Sequence, residues 1–115
     1  MFVIECYQEI DGTCPVEEFM RRLDKKTKAK IEMIMDLLEE YGNGVGEPYS
    51  KYLKDGIFKI RASYNSNAVR ILYFFYYGKR IIMTNGFVKK TRKTPPKEIE
   101  VAKMRRQRFL NRGGR

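Results

Sequence analysis

Histidine and tryptophan are absent from this 115-residue sequence, and cysteine occurs only twice. Without an imidazole, Ser50, Ser63 and Ser66 have no base to activate them, which excludes a serine-hydrolase triad. Cys6 and Cys14 match no zinc spacing, because no second cysteine pair and no histidine completes four ligands. Two thiols are also too few for a disulfide scaffold, so reduced cysteines in a cytoplasmic protein are expected. No glycine-rich phosphate loop of the Walker or Rossmann kind is present. The longest apolar run, "ILYFFYY" at 71–77, is far too short to span a bilayer. The start, "MFVIECYQEI", lacks the basic residues and long apolar stretch of a signal peptide. A soluble protein with no membrane partner, no metal and no cofactor is expected. Any catalysis falls to Lys, Arg, Tyr, Asp or Glu.

Acidic residues are also scarce, but only in one part of the chain. Residues 1–78 hold 11 Lys and Arg against 12 Asp and Glu, whereas residues 79–115 hold 13 against Glu98 and Glu100 alone. The net charge of +10 therefore resides in the last third. Such asymmetry points to a polyanion or an acidic protein partner, with a solubilising tail as the plainer reading. At 43% hydrophobic residues the chain is too apolar to be disordered. Its length suits one domain over residues 1–115 with one core.

The hydrophobic pattern gives the elements. "FVIECY" at 2–7 reads as a strand. Pro15, followed by Glu17 and Glu18, suits a helix's first turn, and Val16, Phe19, Met20 and Leu23 share one helical face. A second helix from about Lys26 to Tyr41 places Ile31, Ile34, Met35, Leu38 and Tyr41 on one face. Its lysines lie at the start and its glutamates at the end, against the dipole, so core packing must hold it. "GNGVGEP" at 42–48 stops that helix. "YSKYL" (49–53), "GIFKIRAS" (56–63), "AVRILYFFYY" (68–77) and "RIIMTNGF" (80–87) read as four strands, with turns at "YNSN" and Gly78. "PPKEIEVAKMRRQRFL" closes the chain as a basic helix. The fold class expected is α+β: an N-terminal strand and helical hairpin packed on an antiparallel sheet, with a C-terminal basic helix.

The candidate site is basic. Alternation puts Lys59 and Arg61 on one face of their strand, with Phe58 and Ile60 on the other. Two readings of that pair are open: ordinary solvated sheet cations, or a phosphate grip. Arg70 interrupts a nearly all-apolar strand, so it either pairs with a helix carboxylate such as Glu32 or Glu39 or serves a function. Lys89 and Lys90 follow the last strand. If these strands are neighbours, four or five cations converge. Self-cleavage of RNA, in which a 2′-hydroxyl attacks its own phosphate, needs a base, an acid and cations around the dianionic phosphorane. Arginine and lysine suit the cationic role. A lysine crowded by other cations has a lowered pKa and can exchange protons. No metal is required.

"LKDGIFKIR" (53–61), "VRILYFF" (69–75) and "GFVKKTRKTPPKEIEVA" (86–102), in that order, resemble the HigB-like branch of the RelE/ParE toxin superfamily. "FVKKTRKTP" is the most specific segment. The resemblance implies the toxin of a type II toxin–antitoxin system, a metal-independent endoribonuclease that cuts mRNA in the ribosomal A site. It also implies a small antitoxin, usually a helix-turn-helix DNA-binding protein. Carried over by position, Lys59, Arg61, Arg70, Lys89 and Lys90 are the catalytic candidates. Lys54, Asn85, Phe87, Arg92 and Lys93 are candidate RNA contacts, and Arg105, Arg106 and Arg108 candidate ribosome or antitoxin contacts. Relatives of that branch often carry Glu where this chain has Lys59 and His where it has Asn85. The site implied here is therefore more basic, and either a lysine moves the proton or the reaction is slow. No tyrosine follows Tyr77, so stacking on a base falls to Phe87 or Phe109. Two other functions are compatible with the sequence: a ParE-like gyrase inhibitor, and a non-catalytic basic RNA-binding protein of a phage or bacterium.

Overall fold

A computed structural model describes residues 1–64 and 67–115, with Tyr64 and Asn67 described by their backbone alone. The turn expected at "YNSN" centres on Asn65 and Ser66, which lie outside the described residues. The elements follow the expected order: β1 (Val3–Cys6), α1 (Pro15–Arg21), α2 (Lys25–Tyr41), β2 (Ser50–Lys54), β3 (Ile57–Tyr64), β4 (Asn67–Tyr76), β5 (Arg80–Val88) and α3 (Pro96–Asn111). A 3-10 turn over Gly42–Gly44 ends α2. Gly42 there takes a positive φ of 55°, which a side chain would disfavour.

The charge order of α2 opposes its dipole, and two features hold it. Ile31, Ile34 and Leu38 are fully buried. Asp24 caps the N-terminus, accepting from the Thr27 N–H at 3.1 Å and its hydroxyl at 2.6 Å. Tyr41, expected on the apolar face, is instead exposed, because the helix ends there and turns away over Gly42.

One sheet of five strands runs in the order β1-β5-β4-β3-β2. Strands β2 to β5 are antiparallel neighbours, as the tight connections require. The antiparallel sheet of the late strands is as expected; β1, whose pairing the sequence left open, joins β5 in parallel, Val3 opposite Arg80 and Cys6 opposite Met83. The helical hairpin carries the chain from one edge of the sheet to the other, so β1 lands beside the last strand. Arg80 fixes that edge, donating to Glu5 at 2.6 and 2.7 Å and to the Gly114 carbonyl at 2.9 Å.

Both faces of the sheet are covered, which explains the apolar run of the central strand β4. On one face α1 and α2 pack over Ile60, Ala62, Val69, Ile71, Tyr73, Ile81 and Met83. The Phe19 ring lies against Gly86, where a Cβ would meet it at 2.4 Å. On the other face α3 lays Ile99, Ala102 and Phe109 over Ile57, Leu72, Phe74, Ile82 and Phe87. No helix among the described residues is long and apolar enough to cross a membrane.

Strand β5 contains a bulge that matters for the site. Leu72 pairs with Asn85 but the next residue, Tyr73, pairs with Met83, leaving Thr84 as the extra residue. Ile82 faces α3. Without the bulge Thr84, Gly86, Val88 and Lys90 would follow on that face; with it, Asn85, Phe87 and Lys89 do.

Candidate active site

The α3 side of the sheet has two parts. The helix covers one part, and its first turn stops above Asn85. Beyond it lies a ladder of cations that register defines. Lys51 of β2 stands opposite Lys59 of β3, which stands opposite Leu72. In the next rung Arg61 faces Arg70, which faces Phe87. One rung further, the Lys89 N–H bonds the Ala68 carbonyl at 2.7 Å, continuing the pairing past β5. Alternation along each strand then turns Lys51, Lys59, Arg61, Arg70 and Lys89 to the same side.

Two of these cations are inside the protein: Lys59 is 7% exposed and Arg70 5%. Lysine and arginine are almost never so buried unless paired. Among the described residues neither has a carboxylate. Lys59 Nζ has one long hydrogen bond, to the Thr94 hydroxyl at 3.4 Å. Arg70 donates from Nη1 to the Val69 carbonyl at 2.9 Å, and its buried Nε has no partner among the described residues. The expected alternative of a helix carboxylate does not apply, since neither Glu32 nor Glu39 reaches Arg70 among the described ion pairs. Arg61 meets the exposed Glu47 carboxylate at 3.4 Å from Nη1, and its buried Nε is likewise unpartnered among the described residues. Glu47 also lies 3.8 Å from Lys51.

Positive charge without compensation lowers proton affinity. Burial, followed by the charges of Lys89, Arg70, Arg61 and Lys51, brings Lys59 down from 10.5 to about 8. Lys89 is lowered by its own burial and by Arg70, Arg61 and Lys51. Arg70 is lowered by burial and by Arg61. The ladder therefore offers fixed guanidinium donors beside an amine able to exchange a proton close to neutrality.

The remaining sequence candidates are dispersed. Lys90 is exposed on the opposite parity from Lys89, and Arg92 and Lys93 are exposed in the loop before α3. Lys54 is exposed at the far end of β2. Asn85 is buried, accepting from Thr84 Oγ1 at 2.6 Å and donating to Glu98 Oε1 at 2.9 Å, which clasps β5 to the start of α3. Phe87 and Phe109 lie in the α3 core rather than at the surface.

Most of the helix arginines turn inward. Arg105 donates to the Thr84 carbonyl at 2.9 Å, satisfying the backbone group that the bulge frees. Arg106 bonds the Asp55 carbonyl, and Arg112 bonds the Gln8 carbonyl at 2.6 Å. Arg108 alone of the three proposed contacts is exposed.

Three site residues escaped the sequence reading. Lys51 was findable, because pairing "SKYL" with "IFKI" places it against Lys59. Thr94 and Lys30 were not, since only the packing of distant elements brings them near.

A family model described as Phage derived protein Gp49-like (DUF891) matches residues 18–107. That span runs from within α1 to near the end of α3 and includes every cation of the ladder. No curated protein matches the chain. By that match the chain belongs to the phage-derived Gp49-like family, a family of RelE/HigB-like toxins associated with toxin–antitoxin systems.

Proposed function

We propose that residues 1–115 act in the cytoplasm as one toxin domain of a type II toxin–antitoxin system. Its activity is cleavage of mRNA in the ribosomal A site, and a helix-turn-helix antitoxin neutralises it. The observation that carries this reading is the pair of buried cations, Lys59 and Arg70, kept without counter-charge beside Arg61 and Lys89. Such an arrangement costs stability unless an anion completes it. A phosphate doing so is surrounded by donors that grow more favourable as its charge increases towards the phosphorane.

The 2′-oxygen attacks the neighbouring phosphorus, the P–O5′ bond breaks, and a 2′,3′-cyclic phosphate and a free 5′-hydroxyl result. One group takes the 2′ proton and another returns a proton to O5′. Lys59, at about 8, is the side chain in the ladder best suited to exchange one. Arg70 and Lys89 hold the phosphate. A gyrase inhibitor has no use for buried unpaired cations, and a non-catalytic RNA-binding protein has none for an amine brought down to about 8.

Mapping mRNA 5′ ends after induced expression tests the reading, with cuts expected inside translated frames. Arg70→Ala should remain folded and lose on the order of a hundredfold or more in cleavage rate. Intact mRNA with accumulated gyrase–DNA complexes would select the gyrase function. Full cleavage by Arg70→Ala would remove the ladder from the mechanism.

A further inference from the structure

Beyond the ladder, a cleft of about 210 Å³ opens at the edge of the sheet, lined by Lys30, Pro48, Tyr49, Arg61, Ser63 and Arg70. It exists because β2 is shorter than β3. Pairing begins at Ser50 opposite Ile60, the Arg61 N–H bonds the Tyr49 carbonyl at 2.8 Å, and the chain then turns away at Pro48. The continuation of β3 past Arg61 thus has no β2 neighbour. Lys30, on the hairpin side of the sheet, lines the cleft through that gap. Its ammonium forms no ion pair among the described residues.

The cleft has the features of a built anion site. Three cations line it, and the hydroxyl of Ser63 is on the same strand face as Arg61. Arg70 is more than nine-tenths buried, and its Nε, like that of Arg61, has no partner among the described residues. The carboxylate near it, that of Glu47 on Arg61, is exposed and held at 3.4 Å, so an incoming anion can displace it. Successive rungs of one sheet face lie roughly 6.6–6.8 Å apart, comparable with successive phosphates of an extended strand.

We infer that this cleft is a second phosphate subsite, in which Lys30, Arg61 and Ser63 hold the RNA phosphate next to the reacting one, with Arg70, which borders both, shared between the two. The inference rests on the proposed function, and names part of its substrate: an extended strand gripped at two consecutive phosphates. The extra contact aligns the backbone at the reacting linkage, since fixing the adjacent phosphate limits rotation about it.

The test uses ribosomes carrying mRNA with a 2′-O-methyl group at the cleaved position, so that binding is read without cleavage. An uncharged methylphosphonate replaces, one at a time, the scissile linkage and each linkage beside it. For the wild-type toxin, neutralising one adjacent linkage should weaken binding about tenfold. Lys30→Gln, on an exposed helix position, should weaken binding of unmodified mRNA by a similar factor. Combining the two should cost no more than either alone. Additive losses would place Lys30 on another anion, such as ribosomal RNA, and overturn the subsite. So would an unaffected Lys30→Gln, or sensitivity confined to the scissile linkage, which would leave the proposed function standing. Insensitivity at the scissile linkage as well would overturn both.

Discussion

Lys59→Met separates the demands of folding from those of chemistry. The side chain is buried among Lys89, Arg70, Arg61 and Lys51, with one long hydrogen bond to Thr94. Its pKa is about 8 in the folded protein, against 10.5 for the free side chain. Below about pH 8 both folded and unfolded chains carry the proton, and the folded one bears the full cost of burying that charge, and of its neighbours' repulsion. Between about 8 and 10.5 the folded protein loses the proton first, so the wild type gains stability as pH rises. Methionine has similar length and no charge at any pH.

The full difference between the two pKa values corresponds to roughly 3 kcal/mol. Water around the exposed members of the ladder screens much of it, so a gain on the order of 1 kcal/mol is expected at pH 7. For a chain of this size that raises Tm by about 4 °C. Thermal or urea melts of both proteins at pH 7 and pH 9.5 measure it. The variant should be the more stable at pH 7, its advantage should shrink at pH 9.5, and cleavage should be lost. The same pKa gives a neutral amine fraction at pH 7 of about a tenth, instead of roughly three in ten thousand for an unperturbed lysine. A variant less stable than wild type at pH 7, or an advantage independent of pH, would refute the claim that Lys59 is held charged against burial and its neighbours' charge.

The helix arginines should divide by their contacts. Arg105→Ala should cost about 1–3 kcal/mol in denaturant unfolding, because it leaves the Thr84 carbonyl of the bulge without its donor, whereas Arg108→Ala should leave unfolding unchanged. Equal effects would mean that Arg105 does not pin the bulge. Glu47→Gln removes the carboxylate that competes for Arg61 and Lys51, and should tighten binding to mRNA-programmed ribosomes by about two- to fivefold at low salt. The gain should fade as ionic strength rises, and an equal or weaker affinity at low salt would show that no such competition occurs.

What the sequence determined by itself was local. Hydrophobic spacing marked α1 and α2, the apolar run of β4 announced a strand covered on both faces, and alternation put Lys59 and Arg61 on one side of β3. These follow from the two periods of helix and strand, which neighbouring residues already express. The charge asymmetry and the lone Arg70 in an apolar strand pointed to a cationic site for the same reason.

Tertiary structure decided which cations come together. Counting along β5 cannot choose between Lys89 and Lys90, because one extra residue at Thr84 reverses every side chain after it, and that bulge exists only in the pairing with β4. Arg105 looked like a handle for nucleic acid. The rotation of α3 about its axis, set by Ile99, Ala102 and Phe109 against the sheet, turns it inward to satisfy that bulge. Asn85 was read as a possible RNA contact, and the same helix buries it against Glu98. The parallel pairing of β1 and the arrival of Lys30 at the edge of β3 likewise depend on where the hairpin crosses the sheet. Composition and spacing fix how a residue behaves beside its neighbours in the chain; register, bulge and helix rotation fix what it meets across the fold, and those are set by the core as a whole.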